Sequence, residues 1–576
     1  MPEDFQDNNK EKSHDSPRPR SGSTDMERRK FLKTTTQVVG AALVATAASS
    51  LNAIPVSALS SSVKNAKNKP YLLFPVISDV HTMADDDRTR DKFIETLNQL
   101  NQLFPEQDAF VTVGDLTDTG YEEEYDRFME VYDKYIQPDA VSMFAIGNHD
   151  YWNDLPVKEA QNRYLKKTGM DSMYYRKVIK GYHFIILATE DGLTEGTFSK
   201  KQIKWLDEQL QIAYDDDPEK PIFVFHHQPI KDTIYGSEWG FNENRDLFYD
   251  TLSKYPRAIS FSGHTHYPLD DPRIIYQKDF TAIGTSTGND LWLEDGRIQG
   301  DHPANGDYLN QALIVQVSEH DVLIYRRDIH NNDWTGDPFH LRFPPEGTPY
   351  EPFEYTDDRD KVPPYFTENA MASVDKGKTT NASLTLMLTQ AQDNLLVHDY
   401  RIIATNEKGD EKEYLAFSEF YRDPVPDPVA ITVGDLEPDT TYEFDIYALD
   451  AFGNESKNSV STMGKTSNEK PEVTLSENSL SDTKTKVDVE VKNIRPPQSD
   501  WVGVYEENVE PGEANPAIWW MYTPDDNEGA FKFTYDPADN VKPDRYKANQ
   551  TYKMVYFYGS GYDDVASTTF DVGDAK

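Results

Sequence analysis

The sequence predicts an α/β layered domain followed by two all-β sandwich domains. Three observations carry that prediction. The 576 residues are enough for about three domains at roughly 100–200 residues each. From Tyr71 to about residue 345, short apolar strands alternate with helical stretches. Beyond that point helical periodicity gives way to period-two alternation. Aromatic residues make up 12% of the chain, so its formal net charge of −42 does not mark a disordered acidic polypeptide.

The first strand is YLLFPVISDVH, which ends in polar residues. DKFIETLNQLNQLF (91–104) follows, with Phe93, Ile94, Leu97, Leu100 and Phe104 at helical spacing. AFVTVGD is a strand, EEEYDRFMEVYDKYI a helix and AVSMFAIGNHD a strand. The order continues with SKKQIKWLDEQLQIA (helix), PIFVFHH (strand), NRDLFYDTLSKY (helix) and AISFSGHTH (strand). MYYRKVIKGYHFIILAT and ALIVQVSEHDVLIYRR read as hairpins, so mixed sheets are expected. This first domain is bounded at 70–345.

Near Pro344-Pro345-Glu346-Gly347 the character shifts. ASLTLMLTQ, VHDYRIIAT, AITVGDL and TYEFDIYALD alternate, with turn signals between them, and define a β-sandwich over 346–468. Leu436 to Tyr442, then DIYALDAFGNES, resembles the tyrosine-corner strand and turn of a fibronectin type III domain. A second break at SNEKPEVTL opens a third domain, 469–576, again all-β and rich in aromatics. Its DWVGVYEENVEPG and YFYGSGYDDVA resemble the small β-sandwich appended to some secreted bacterial phosphoesterases. Trp519-Trp520 is the adjacent pair of tryptophans there. Neighbours in a strand face opposite ways, so one of the two is expected in the core.

Residues 1–69 are set aside as an address and linker. Arg28-Arg29-Lys30-Phe31-Leu32-Lys33 precedes VVGAALVATAA (38–48), an apolar run too short to span a bilayer. Val56-Ser57-Ala58 fits a small-x-small cleavage site. The string resembles a bacterial twin-arginine (Tat) signal, which implies export of a folded protein, often after its cofactor has been loaded. No later stretch reaches about 18 apolar residues, so the processed protein is expected to be soluble, with no membrane contact.

Composition narrows the chemistry. There are no cysteines, which excludes disulfides, thiol nucleophiles and cysteine metal sites. The acidic charge argues against nucleic-acid partners. What remains are polar clusters where strands end: Asp79-Val80-His81, Gly114-Asp115-Leu116-Thr117-Asp118, Gly147-Asn148-His149-Asp150, His226-His227 and Gly263-His264-Thr265-His266. Open α/β sheets place their sites at the carboxyl ends of strands, so these clusters can meet in one crevice. Each motif alone is weak. Together they hold six of the chain's thirteen histidines, all where strands end.

The ordered set D-x-H, G-D-x-x-D, G-N-H-D, H-H and G-H-x-H resembles the calcineurin-like metallophosphoesterase superfamily, over roughly residues 70–345. The resemblance implies a β-sandwich flanked by helices. It also implies two divalent transition-metal ions. One would be held by Asp79, His81, Asp115 and His266, the other by Asp115, Asn148, His226 and His264. His226 is taken rather than His227 because it directly follows the apolar strand and matches the family's ligand position. Mixed imidazole, carboxylate and amide ligands suit Mn, Fe, Zn or Co. A bridging carboxylate suits two ions about 3.5–4 Å apart. Two divalent ions less two aspartates leave about +2, enough to hold a phosphate in an acidic protein.

The implied function is that of an exported phosphoric-ester hydrolase, a phosphodiesterase or phosphomonoesterase. A metal-bound hydroxide would be the nucleophile and His149 the proton donor to the leaving group. Asp118 is expected to orient His149 and raise its pKa, and Asp150 to hold the turn. The substrate is expected to be a small phosphorylated molecule, selected by loops 151–175, 231–245 and 285–308. The alternatives are a nuclease of the same superfamily and a surface-binding protein with a relic catalytic domain. The β modules are expected as spacers, as carbohydrate or cell-wall contacts, or as packing against the catalytic domain.

Overall fold

A computed structural model describes residues 71–303, 306–343, 353–494, 500–512, 514–524, 529–538, 545–559, 561–562 and 564–574. The twin-arginine string and the expected cleavage site lie outside the described residues, and so does the expected boundary at 345.

Two mixed sheets build the first domain. One has the order β12-β11-β10-β1-β2-β3, with β13 added on β11. Its strands are β1 (Leu72–Ile77), β2 (Ala109–Val113), β3 (Val141–Ala145), β10 (Gln311–Val317), β11 (Asp321–Asp328), β12 (Asp333–Trp334) and β13 (Phe339–Arg342). The other has the order β4-β5-β6-β7-β9-β8. Its strands are β4 (Tyr175–Ile179), β5 (Tyr182–Ile186), β6 (Ile222–His226), β7 (Ala258–Ser262), β8 (Ile275–Gln277) and β9 (Thr281–Gly284). β1–β3 run parallel, as do β5, β6, β7 and β9. β4–β5 and β10–β11 are the two hairpins expected from sequence.

The sheets pack face to face. Phe74 of β1 meets Phe184 and Phe223 of the opposite sheet edge-on, at 4.9 and 5.0 Å between ring centroids. Helices cover the outer faces. α1 (Asp87–Leu103) and α2 (Glu122–Tyr135) lie on the first sheet through Phe93, Phe128 and Tyr132. α4 (Lys200–Asp216) and α5 (Arg245–Leu252) lie on the second through Leu206, Leu210, Phe248 and Leu252. Ser199 caps α4 by accepting from Gln202 N. Each central strand is buried on both faces, which is why these strands read as continuous apolar runs.

One helix escaped the sequence reading. α3 (Val157–Thr168) occupies a stretch expected to be loop, and it buries only Ala160, Tyr164 and Thr168. That stripe is too thin to show as periodicity.

The first β module pairs a three-stranded sheet with a four-stranded one. These comprise β14 (Ala372–Asp375), β15 (Leu384–Leu388), β18 (Val429–Val433), then β16 (Val397–Asn406), β17 (Glu411–Phe417), β19 (Thr441–Asp450) and β20 (Val460–Lys465). The Tyr442 hydroxyl accepts from Glu437 N at 2.8 Å. The second β module also packs two sheets. In it Trp519 is buried against Phe533 and Tyr535, while Trp520 is half exposed. Among the described residues no helix is long and apolar enough to cross a membrane.

Candidate metal centre

The strand-end clusters follow β1, β2, β3, β6 and β7, all parallel strands, and they meet at one end of the sandwich. The chain makes abrupt turns there. Asp79, His81, Asp115, His264 and His266 all have positive φ, between 45° and 73°, a region non-glycine residues seldom occupy. Such concentrated strain persists only where the surroundings enforce it, and it marks a functional site.

The glycines of the motifs serve mainly as space. A Cβ on Gly114 would collide with the His227 ring, one on Gly147 with Asp115 Oδ1, and one on Gly263 with Asp79 Oδ2. Gly147→Ala is therefore expected to push the Asp115 carboxylate aside. The check is metal content by atomic emission. We expect a deficit in the purified variant, with an unchanged far-UV circular dichroism spectrum.

Two buried groups face each other. Asp79, His81 and His266 bring ligand atoms within 4.8 Å of one another, as do Asp115, His227 and His264. Asp115 reaches both. Its Oδ2 lies 3.0 Å from His227 Nε2 and 3.8 Å from His81 Nε2, and its Oδ1 accepts from His149 N at 2.9 Å. Asn148 Oδ1 lies 3.2 Å from His227 Nε2. His266 Nε2 is 3.3 Å from Asp79 Oδ1.

The residues fit a dinuclear cation site. His264 Nε2 is buried with no hydrogen-bond partner among the described residues. His81 Nε2 and His266 Nε2 face each other at 3.1 Å. Their outer nitrogens are already engaged, His266 Nδ1 with Asp290 O at 2.8 Å and His81 Nδ1 with Asp118 Oδ1 at 3.4 Å. With the proton of each ring on its outer nitrogen, the two facing Nε2 atoms would suit a shared cation. His227 Nδ1 is likewise spent on Val113 O at 2.9 Å, which leaves Nε2 for the crevice.

The structure corrects the choice of His226. Its Nδ1 bonds Gln228 O at 2.7 Å and its Nε2 bonds Ser260 Oγ at 2.6 Å. Its ring packs among Phe198, Phe241 and Phe248 on the helix side of the sheet. Along β6, Phe223 and Phe225 face the sandwich core, whereas Ile222, Val224 and His226 face the helices. His227, the first residue beyond the strand, turns into the crevice. Substitution separates the two. His227→Ala is expected to lose metal with little change in melting temperature. His226→Phe is expected to keep metal and lose about 1–3 kcal/mol of stability by stranding Ser260 and the Gln228 carbonyl. Metal analysis and thermal unfolding check both.

The second correction concerns Asp118. His149 Nδ1 does meet Asp118, but at its backbone carbonyl, 2.7 Å away. The Asp118 carboxylate stands 4.0 Å off and lies closer to His81. Burial therefore dominates, and the His149 pKa falls to about 4 instead of rising. The His149 ring also lies against Trp152, tilted by 35° at 3.7 Å between centroids, a neighbour the sequence reading left in a loop.

Asp150 holds its turn, and also more than its turn. It is fully buried, and its carboxylate accepts from Gly147 N, Thr117 N and Thr117 Oγ1 at 3.0, 3.2 and 2.7 Å. It stitches the loop after β3 to the loop after β2. Burial, with the nearby Asp115 charge, pushes its pKa up to about 6.

Sequence reasoning missed Asp290. Besides its carbonyl, its carboxylate faces His266 Nδ1 at 3.4 Å and accepts from Trp292 Nε1 and Asn289 Nδ2, both at 3.1 Å. A lone aspartate in a long loop carries no local signal of that role.

Residues 73–268 match the calcineurin-like phosphoesterase family model. A probable glycerophosphodiester phosphodiesterase of Arcobacter nitrofigilis is 28% identical over 174 residues, which cover 29% of this chain and 59% of that protein. The chain thus spans less than two thirds of that relative's length. A cAMP/cGMP dual specificity phosphodiesterase of Mycobacterium tuberculosis is 29% identical over 248 residues, covering 41% of this chain and 75% of that protein. A solved purple acid phosphatase from yellow lupin seeds aligns at 16% identity and a TM-score of 0.35, covering 48% of this chain and 55% of that one.

Proposed function

We propose, from the premise that residues 73–268 form a calcineurin-like phosphoesterase domain, that this chain is a metal-dependent hydrolase of small phosphodiesters. One observation carries the reading. Asp115 stands between two buried ligand groups, Asp79–His81–His266 and His227–His264–Asn148, as a shared carboxylate would. The two phosphodiesterase relatives support the diester class. When bound, two divalent ions would supply Lewis acidity and an activated water.

The chain's own groups do the rest. His81, His227 and His266 are fixed by their outer nitrogens, so each presents Nε2 without rearrangement. Asn148 adds an oxygen with no charge, which preserves the positive potential that holds a phosphate. His149 keeps Nδ1 on the Asp118 carbonyl, leaving Nε2 for a proton passed to the leaving oxygen. Burial holds its pKa down, to about 4. A bound phosphate anion would oppose that downward shift and favour the protonated ring.

Export belongs to this reading. Arg28-Arg29 and the apolar run behind them support it. Periplasmic or extracellular recovery that is lost in an Arg28→Lys/Arg29→Lys variant tests it.

Hydrolysis of bis(p-nitrophenyl) phosphate and of p-nitrophenyl phosphate by metal-loaded protein tests the activity. We expect the diester to be cleaved faster and chelation to abolish both rates. Cleavage of neither ester by protein holding about two metals would overturn the reading.

A further inference from the structure

Segment 289–301 leaves the metal centre and ends against the first β module, and every link along the way is visible. At its start, Gly288 N bonds Ser78 O and Asp79 O at 2.9 and 3.1 Å. Asp290 then holds His266 Nδ1, and Trp292 N donates to His266 O at 3.3 Å. The backbone therefore wraps the ligand from two sides.

At its far end the segment is fastened to the β module. Ile298 N donates to Leu415 O at 2.8 Å. Gln299 pairs with the Phe417 backbone in both directions, at 3.0 and 2.9 Å. Arg297 donates to Asp399 Oδ2 at 2.8 Å. Asp399 in turn lies 3.1 Å from Nδ1 of His398, which is buried, and Arg273 Nη2 of the catalytic domain approaches His398 Nε2 at 2.9 Å. Leu291, Leu293 and Leu309 share one apolar cluster with Phe417, Phe420 and Tyr421.

We propose that the first β module is a working part of the metal centre: by clamping segment 289–301 through Arg297–Asp399, Gln299–Phe417 and the shared apolar cluster, it fixes the orientation of His266. Arg297 is then a positioning residue, acting on the metal through Asp290 and His266. The physical basis is ordinary. A ligand ring is held by its outer hydrogen bond, and loss of that hold typically costs about 10–100-fold in metal affinity. A segment tied at one end alone samples orientations that a segment tied at both ends does not. The inference rests on the dinuclear reading above, and it is specific to one of the two ligand groups, since the segment's hydrogen bonds to ligand residues are made to His266.

The test is calorimetric titration of the metal-stripped full-length chain with Mn²⁺. Arg297→Ala is expected to weaken one of two sites roughly tenfold and leave the other unchanged. Asp399→Ala is expected to do the same, and the double variant should add less than the sum of the two, because both cut the Arg297–Asp399 contact. Combining Arg297→Ala with His227→Ala should damage both sites. Gln299→Ala provides a second cut in the clamp should Asp399→Ala fold poorly. Equal weakening of both sites, or no change at either in folded variants, would overturn the proposal. If the wild-type chain takes up one ion only, the dinuclear reading fails. The coupling is still decided by whether that ion weakens in Arg297→Ala.

Discussion

Asp115→Asn is expected to lose metal and activity together. The substitution removes the carboxylate whose Oδ2 faces His227 on one side and His81 on the other. An amide offers one oxygen and no charge. Its nitrogen, placed near His227 or His81, would present protons to any cation. The His149 amide, which donates to Asp115 Oδ1, would be kept or lost according to the rotamer. The loss should exceed the ~10–100-fold typical of changes one shell further out. Atomic emission on the purified variant, with diester hydrolysis at saturating Mn²⁺, checks it. A variant that keeps two metals and hydrolyses at the wild-type rate would remove Asp115 from the centre of the account.

His149→Ala is expected to dissociate the two properties that Asp115→Asn joins. His149 lies outside both groups around Asp115, although with His81 and Asp118 it forms a further set of close ligand atoms. Its Nδ1 is held by the Asp118 carbonyl and its ring by Trp152. Metals should remain. Hydrolysis should slow by about 10²–10⁴-fold for a leaving group that needs a proton. It should slow much less for p-nitrophenolate, which departs without one. A leaving-group series at fixed pH reads this as a steeper dependence of rate on leaving-group pKa. Equal slowing across the series would argue for a positioning role instead. Asp118→Ala is a useful companion. Its backbone carbonyl survives the substitution, so its effect should be smaller than that of His149→Ala.

The reach of the sequence can be judged from particular residues. The five strand-end clusters were legible because glycine and a polar run interrupt apolar strands abruptly, and the topology that unites them follows from strands alternating with helices. The faces of β6 were not legible. IFVFH is apolar on both sides because both sides are buried, so alternation gives no sign of which way His226 points. Only the packing of Phe198, Phe241 and Phe248 around it decides that. The spacing brings Asp118 to His149, but it cannot distinguish the carbonyl at 2.7 Å from the carboxylate at 4.0 Å. Asp290 and Arg297 were invisible for a different reason. Their meaning lies in contacts with His266 and Asp399, 24 and 102 residues away. The expected packing of a β module against the catalytic domain is seen at Phe417 and Asp399. The split between Trp519 and Trp520 follows strand alternation directly.

The central claim is that two cations share Asp115 between unlike sets of histidines. Anomalous diffraction from crystals grown with Mn²⁺ tests it most directly. Two peaks are expected, one contacted by Asp79, His81 and His266 and the other by Asn148, His227 and His264, with the Asp115 carboxylate touching both. A single peak, or a peak beside His226, would contradict it.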